Sequence, residues 1–338
     1  MYIRRSIRFK LIFEDSWRFL LIIGLWSTLV VYIHDYMGWG LISVPIVPLS
    51  TIGIAVSLYL GFRSKESYDR WWEGRKIWGN IINKSRSFSN QVHSMFYDKE
   101  GNPVSPEIKK DLIYRHLSWL TALKYQLRST SRLASTSKPR MFNHRISDKK
   151  SAELFSSYLS HDEYTKLQTK SNMATQILVN QGKAIQELSQ KGYLDSVRHT
   201  DLTNMITYLY DTQGQCERIK KTPFPRAFAN LGQIFTVIFI FLLPLGLLDI
   251  FEDEGKRYLH DAVLQREYMF AMVPFTMLLS WVFFMMEKVS DSMEDPFESG
   301  VNDLPLNAMV RTIEIDLLES LEEEHIPKPI KPVGDMLH

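Results

Sequence analysis

Four long apolar runs, set far apart in an otherwise polar chain, constrain this sequence more than any other feature. They cover residues 17–33, 41–62, 234–251 and 269–286, and the charged residues inside them, Arg18 and Asp249, both lie near an end. A bilayer core of about 30 Å takes about 20 predominantly apolar residues as a helix, because a helix satisfies its own backbone polar groups there. One such run suits the core helix of a soluble protein. Four predict an all-α, polytopic membrane protein. The chain average conceals this, because 45% hydrophobic and 23% charged residues with a mean hydropathy of −0.15 would describe a soluble globule. Basic residues before the first run (Arg4, Arg5, Arg8, Lys10) imitate a signal peptide. No convincing small-residue cleavage site comes after them, so the run is expected to stay as the first span.

Flanking charge gives the expected orientation, since Lys and Arg concentrate on the cytoplasmic side. Basic residues precede the first run, follow the second (Arg63, Lys65, Arg70, Arg75, Lys76) and precede the third (Arg218, Lys220, Lys221, Arg226). Residues 34–40 hold no Lys or Arg, and the loop between the last two runs carries Glu252, Asp253 and Glu254. Both termini and the long middle segment are therefore expected in the cytoplasm, with the chain in a cell (inner) membrane. This divides the chain into four segments: 1–62 with the first two spans, 63–225 as a cytoplasmic helical region, 226–290 with the last two spans, and 291–338 as a cytoplasmic tail.

The net charge of +2, from 40 Lys and Arg against 38 Asp and Glu, gives no reason to expect a nucleic-acid partner. Cys216 is the single cysteine, which excludes an intrachain disulfide and a multi-cysteine zinc site. His34, His93, His144 and His260 show no metal-ligand spacing and read as loop or surface residues. No metal, no cofactor and no catalytic set is expected, so the chain is not read as an enzyme.

In the middle segment, Ile108, Leu112, Ile113, Leu117 and Leu120 recur at helical spacing over 106–127, with Pro106 suited to the first helical position. Residues 176–194 and 202–219 also read as helices. Residues 128–150 are Ser-, Thr- and Lys/Arg-rich and read as a solvated loop. After the fourth run, Asp295-Pro296-Phe297 breaks the helix, and Asp303 is placed to cap an amphipathic helix over 307–323. Pro327, Pro329 and Pro332 predict an extended tail, and Pro244 and Pro274 predict kinks inside spans.

The second run carries the sharpest pattern. Ile54, Leu58 and Phe62 stand at i, i+4 and i+8 and share one helix face, while Gly53 and Gly61 offer small surfaces for close helix approach. Ordinary helix packing accounts for such a stripe. Several copies around an axis would instead make stacked apolar rings that close a pore by dewetting.

The residues C-terminal to the stripe separate these readings. Gly61-Phe62-Arg63 leads to Tyr68-Asp69-Arg70-Trp71-Trp72-Glu73-Gly74-Arg75 and Trp78-Gly79. Farther on stand Gly214-Gln215-Cys216-Glu217-Arg218 with Pro223 and Pro225, then Asp295-Pro296-Phe297 with Asn302-Asp303-Leu304-Pro305. In order and spacing, from about residue 4 to 309, the chain resembles the bestrophin family, including its bacterial members. The resemblance implies a homopentameric ion channel with one central pore, a neck ringed by Ile54, Leu58 and Phe62, and a second, cytoplasmic aperture near Thr200. Arg70, Trp71, Trp72, Pro296, Phe297 and Asp303 are the matched motif residues. Animal members bind calcium through an acidic run after their Asn-Pro-Phe segment. Here the corresponding 298–303 stretch has carboxylates only at Glu298 and Asp303, so a calcium clasp is not expected. Animal members are anion channels with Phe at the middle neck position, where this chain has Leu58. Glu66, Asp69 and Glu73 would form acidic rings if they faced the axis, and such rings favour cations. Small monovalent ions are the expected cargo, cations slightly favoured and chloride close behind. The alternative is a membrane scaffold or regulatory protein in which the stripe only packs.

Overall fold

A computed structural model describes residues 1–98, 100–129, 158–298 and 300–337. The basic stretch 128–150, including His144, lies outside the described residues from residue 130 onward. The helices among them are α1 (Phe9–Asp35), α2 (Ile46–Met95), α3 (Pro106–Ser129), α4 (His161–Gln168), α5 (Met173–Gln190), α6 (Ser196–Lys221), α7 (Arg226–Tyr258), α8 (Ala262–Met269), α9 (Met272–Met293) and α10 (Leu306–Ser320). Four segments are long and apolar enough to cross a membrane: α1, the Gly40–Met95 stretch containing α2, α7, and the Ala262–Met293 stretch of α8 and α9. The four expected spans therefore coincide with these segments, except that residues 43–45 precede α2 and residues 270–271 form a break between α8 and α9.

The longest helix sets the architecture. α2 runs unbroken for 50 residues, about 75 Å at 1.5 Å per residue. Its first half packs on α7 and α9, and its second half on α3, α6 and α10. The helix passes straight through Phe62 and Arg63, so the membrane part and the extramembrane bundle share one rigid element. The bundle holds the larger core: Trp78, Ile81 and Phe88 of α2 meet Trp119 and Leu120 of α3, Leu209 of α6 and Ile313 of α10. A smaller cluster of Leu49, Val56, Leu60, Phe239 and Leu243 joins α2 to α7 within the spans.

Gly53 permits that second contact, since a Cβ there would meet the Phe239 ring at 2.9 Å. Gly61 faces open space, with nothing within 4 Å of such an atom, and so does not serve the approach expected of it within the subunit. Two further expectations change. Asp303 caps no helix: α10 begins after Pro305 without a side-chain cap, and the Asp303 carboxylate accepts from the Gly300 N–H at 2.7 Å. Pro244 is interior to α7, whereas Pro274 sits in the first turn of α9, where a missing N–H breaks no helical hydrogen bond.

The proline-rich tail is extended as expected, but it does not wander. Ile3 N–H donates to Asp335 O at 3.0 Å, Leu337 N–H to Met1 O at 2.9 Å, and Arg4 and Arg8 hold the Asp335 carboxylate at 2.5 and 3.0 Å. Nothing in the local sequence announces this pairing.

Candidate functional site: the outward face of the long helix

Gly53, Val56, Leu60 and Arg63 turn one face of α2 toward the subunit's other spans and are buried. Ile54, Leu58 and Phe62 lie on another face and remain 71%, 60% and 60% exposed. A helix already packed by its glycine side thus presents a second apolar stripe to whatever lies beyond the subunit. Lipid, a protein partner or further copies of the chain would each suit it.

Buried charge fixes the stripe's rotation. The Arg63 side chain is 2% exposed and reaches Glu287 at 3.1 Å, Glu294 at 2.7 Å and Asp291 at 3.9 Å on and just beyond α9. Desolvating a guanidinium is costly unless its donors are met, and here three carboxylates of one helix end meet them. Because Arg63 adjoins Phe62, the ion cluster holds the apolar stripe in register.

Two turns farther on, the motif blocks converge. Arg70 donates through Nε to the Glu294 carbonyl at 2.6 Å, and through its terminal nitrogen to the carbonyls of Thr222, at 2.7 Å, and Ile219. Trp71 Nε1 donates to Asn302 O at 2.7 Å. Gly74 lets Pro296 and Phe297 approach, since a Cβ there would stand 3.2 and 3.3 Å from their side chains. The Arg-Trp-Trp block, the Asp-Pro-Phe block and the end of the Cys216 helix are one knot at the base of the second span. Trp72 stacks on Tyr68, with rings 6.4 Å apart.

The cysteine itself is inert. Cys216 is fully buried in α6, and burial pushes its thiol well above the ordinary range, so the nucleophilic thiolate is suppressed. The neighbouring Glu217 accepts from Gln126 at 3.1 Å, Asn172 at 2.9 Å and Gln213 at 2.8 Å, a structural network between α3, α5 and α6.

The three acidic candidates separate. Asp69 pairs with Lys65 on its own helix, and Glu73 with Arg218 of α6. Glu66 continues the stripe at i+4 from Phe62, is exposed, and enters no ion pair among the described residues. Thr200 stands exposed in the second turn of α6, its hydroxyl donating to Ser196 O at 2.8 Å. Val197, one turn earlier, is an exposed apolar side chain at 69%, and spacing along the sequence does not single it out.

The family model for bacterial and fungal bestrophin proteins matches residues 10–319. The chain belongs to the bestrophin family. Among curated relatives, the voltage-dependent anion channel-forming protein YneE of Escherichia coli K12 is 26% identical over 93% of this chain and 89% of its own length. The voltage-dependent anion channel-forming protein mll4386 of Mesorhizobium japonicum is 27% identical, covering 82% and 76% of the two chains. A bacterial bestrophin homologue from Klebsiella pneumoniae superposes with a TM-score of 0.73 at 26% identity, covering 90% of this chain and 98% of that one. Bestrophins are a family of ion channels, and the knot of Arg70, Trp71, Gly74, Pro296 and Phe297 is the part of this chain in which the family motifs meet.

Proposed function

We propose that this bestrophin is a homopentameric channel for small monovalent ions, with α2 lining the pore. The observation carrying this reading is that Ile54, Leu58 and Phe62 stay exposed while the opposite side of the same helix is packed and locked by Arg63. Closing a ring of subunits around α2 turns the three residues into stacked apolar rings, at which an ion cannot shed water without compensating ligands. A second constriction is assigned to the start of α6, where Val197 and Thr200 share one exposed face. Of the matched positions, Arg70, Trp71, Pro296 and Phe297 brace the pore helix, Asp303 shapes the turn that carries Asn302, and Trp72 stacks along the helix; none of them is assigned to the ion. Both termini and the bundle are assigned to the cytoplasm of a cell (inner) membrane on the Lys and Arg distribution.

Cations are favoured on Glu66, since a fivefold ring of free carboxylates just below the neck concentrates positive charge. Asp69 and Glu73 contribute little, being neutralised by Lys65 and Arg218. Chloride is the second reading, favoured by the names of the curated relatives. No calcium clasp is assigned: Glu298 is held by Lys220 at 3.3 Å, and Asp303 by the Gly300 N–H.

Current through the purified protein in planar bilayers under a KCl gradient tests this. Reversal near the potassium potential, displaced toward chloride by E66Q, is the expected result. Reversal at the chloride potential overturns the cation assignment. Absence of current from a folded I54A/L58A/F62A variant overturns the channel and leaves the scaffold.

A further inference from the structure

At the end of the spans remote from the helical bundle, three residues widely separated in sequence come together. His34 in the last turn of α1, and Asp249 and Glu252 one turn apart on α7, bring one ligand atom each within 4.8 Å of the others. The His34 side chain is only 9% exposed, with Nε2 3.7 Å from a Glu252 oxygen. Its Nδ1 is buried without a hydrogen-bond partner. Beside it, the buried Asp35 Oδ2 also makes no hydrogen bond and only faces Arg266 Nε at 3.8 Å. Leaving a buried imidazole nitrogen without a hydrogen bond costs about 1–3 kcal/mol, while the other nitrogen faces the Glu252 carboxylate.

We propose that His34, Asp249 and Glu252 bind a divalent transition-metal ion, of which Zn²⁺ is the type. One imidazole nitrogen with two carboxylate oxygens suits a borderline metal, and water takes the remaining position. Magnesium and calcium, which prefer all-oxygen shells, fit this set poorly. Ligand bonds of about 2.0–2.2 Å put tetrahedral donors about 3.3–3.6 Å apart, within reach of rotation by the exposed Asp249 and the partly exposed Glu252. A competitor stands close by: Lys256 holds Glu252 at 2.5 Å and must release it. The bound ion joins the outer end of α1 to that of α7, next to the buried cluster in which Val30 and Val31 meet Leu248. Sequence spacing conceals the set because His34 and the carboxylates stand on different spans; the helical position and 9% side-chain exposure of His34 correct its reading as an ordinary loop or surface residue.

Binding is measured without any current, so its failure and that of the channel reading are distinguishable. Zinc chloride is titrated calorimetrically into the metal-stripped full-length protein in detergent, with melting temperature followed in parallel. Expected are one ion per subunit, a raised melting temperature, and affinity lowered by about tenfold or more in H34Q and in E252Q. K256Q, which frees Glu252, is expected to bind more tightly, and millimolar magnesium not to compete. E252Q alters an accessible carboxylate and keeps the test decisive if H34Q fails to fold. Absence of zinc binding by the unmutated protein, or equal binding by E252Q, overturns the proposal.

Discussion

Individual side chains decide more here through burial than through reactivity. His116 is fully buried in α3, donates to or accepts from Ser85 Oγ at 2.9 Å, and stacks on Phe88. Burial lowers its pKa to about 3, from the ordinary 6.5. Between those values the unfolded chain takes up a proton that the folded chain refuses. Stability is therefore full above about pH 6.5 and falls on acidification by at most ~1.4 kcal/mol per pH unit from this group. Thermal unfolding in detergent between pH 7 and 4 is expected to show this decline, and H116Q to flatten it whatever its stability at neutral pH. Arg63 is the other decisive residue. R63A strands Glu287 and Glu294 against each other in a buried place, with an expected loss of about 3–5 kcal/mol. Adding E294Q removes one stranded charge, and the melting temperature of the double variant should exceed that of R63A.

At the scale of elements, α2 has three differently used faces along its length. One packs on α7 and α9, one carries the apolar stripe, and the lower half enters the bundle core. The glycines test the first. G53A sets a methyl group 2.9 Å from the Phe239 ring and is expected to cost about 1–3 kcal/mol by overpacking, read as a lower melting temperature. G61A meets nothing within 4 Å in the subunit and should leave that temperature unchanged unless a neighbouring subunit lies there. A drop in oligomer size with G61A, at constant subunit melting temperature, would locate the contact between copies at this point on α2.

At the scale of the whole molecule, the first and last segments are tied together, and both lie near the motif knot. Tyr2 N–H donates to Val301 O at 2.9 Å, while Asp335 takes Arg4 and Arg8. The arginines of these ion pairs are half-exposed and each pair is individually weak, so their role is to hold residues 333–337 in place. D335A should therefore expose that segment to limited proteolysis while leaving the helical core's melting temperature within about 0.5 kcal/mol equivalent of the parent. Five copies in native mass spectrometry would bear on the proposed ring directly, and monomers or dimers alone would remove the pore.

The four spans, the helical bundle and the motif blocks were legible because hydrophobic periodicity and flanking charge are local properties: each is written in consecutive residues and needs no partner to be recognised. The stripe Ile54, Leu58, Phe62 was legible for the same reason. Which face of α2 it occupies relative to the other spans was not, because that depends on Phe239 meeting Gly53 and on carboxylates 224 to 231 positions away meeting Arg63. Only the tertiary structure could separate Glu66 from Asp69 and Glu73, whose sequence contexts are alike but whose ion partners differ. The same holds for His34, Asp249 and Glu252, and for the pairing of the two terminal segments. In each case the deciding interaction joins residues with no sequence relation, so it exists only once the helices have packed.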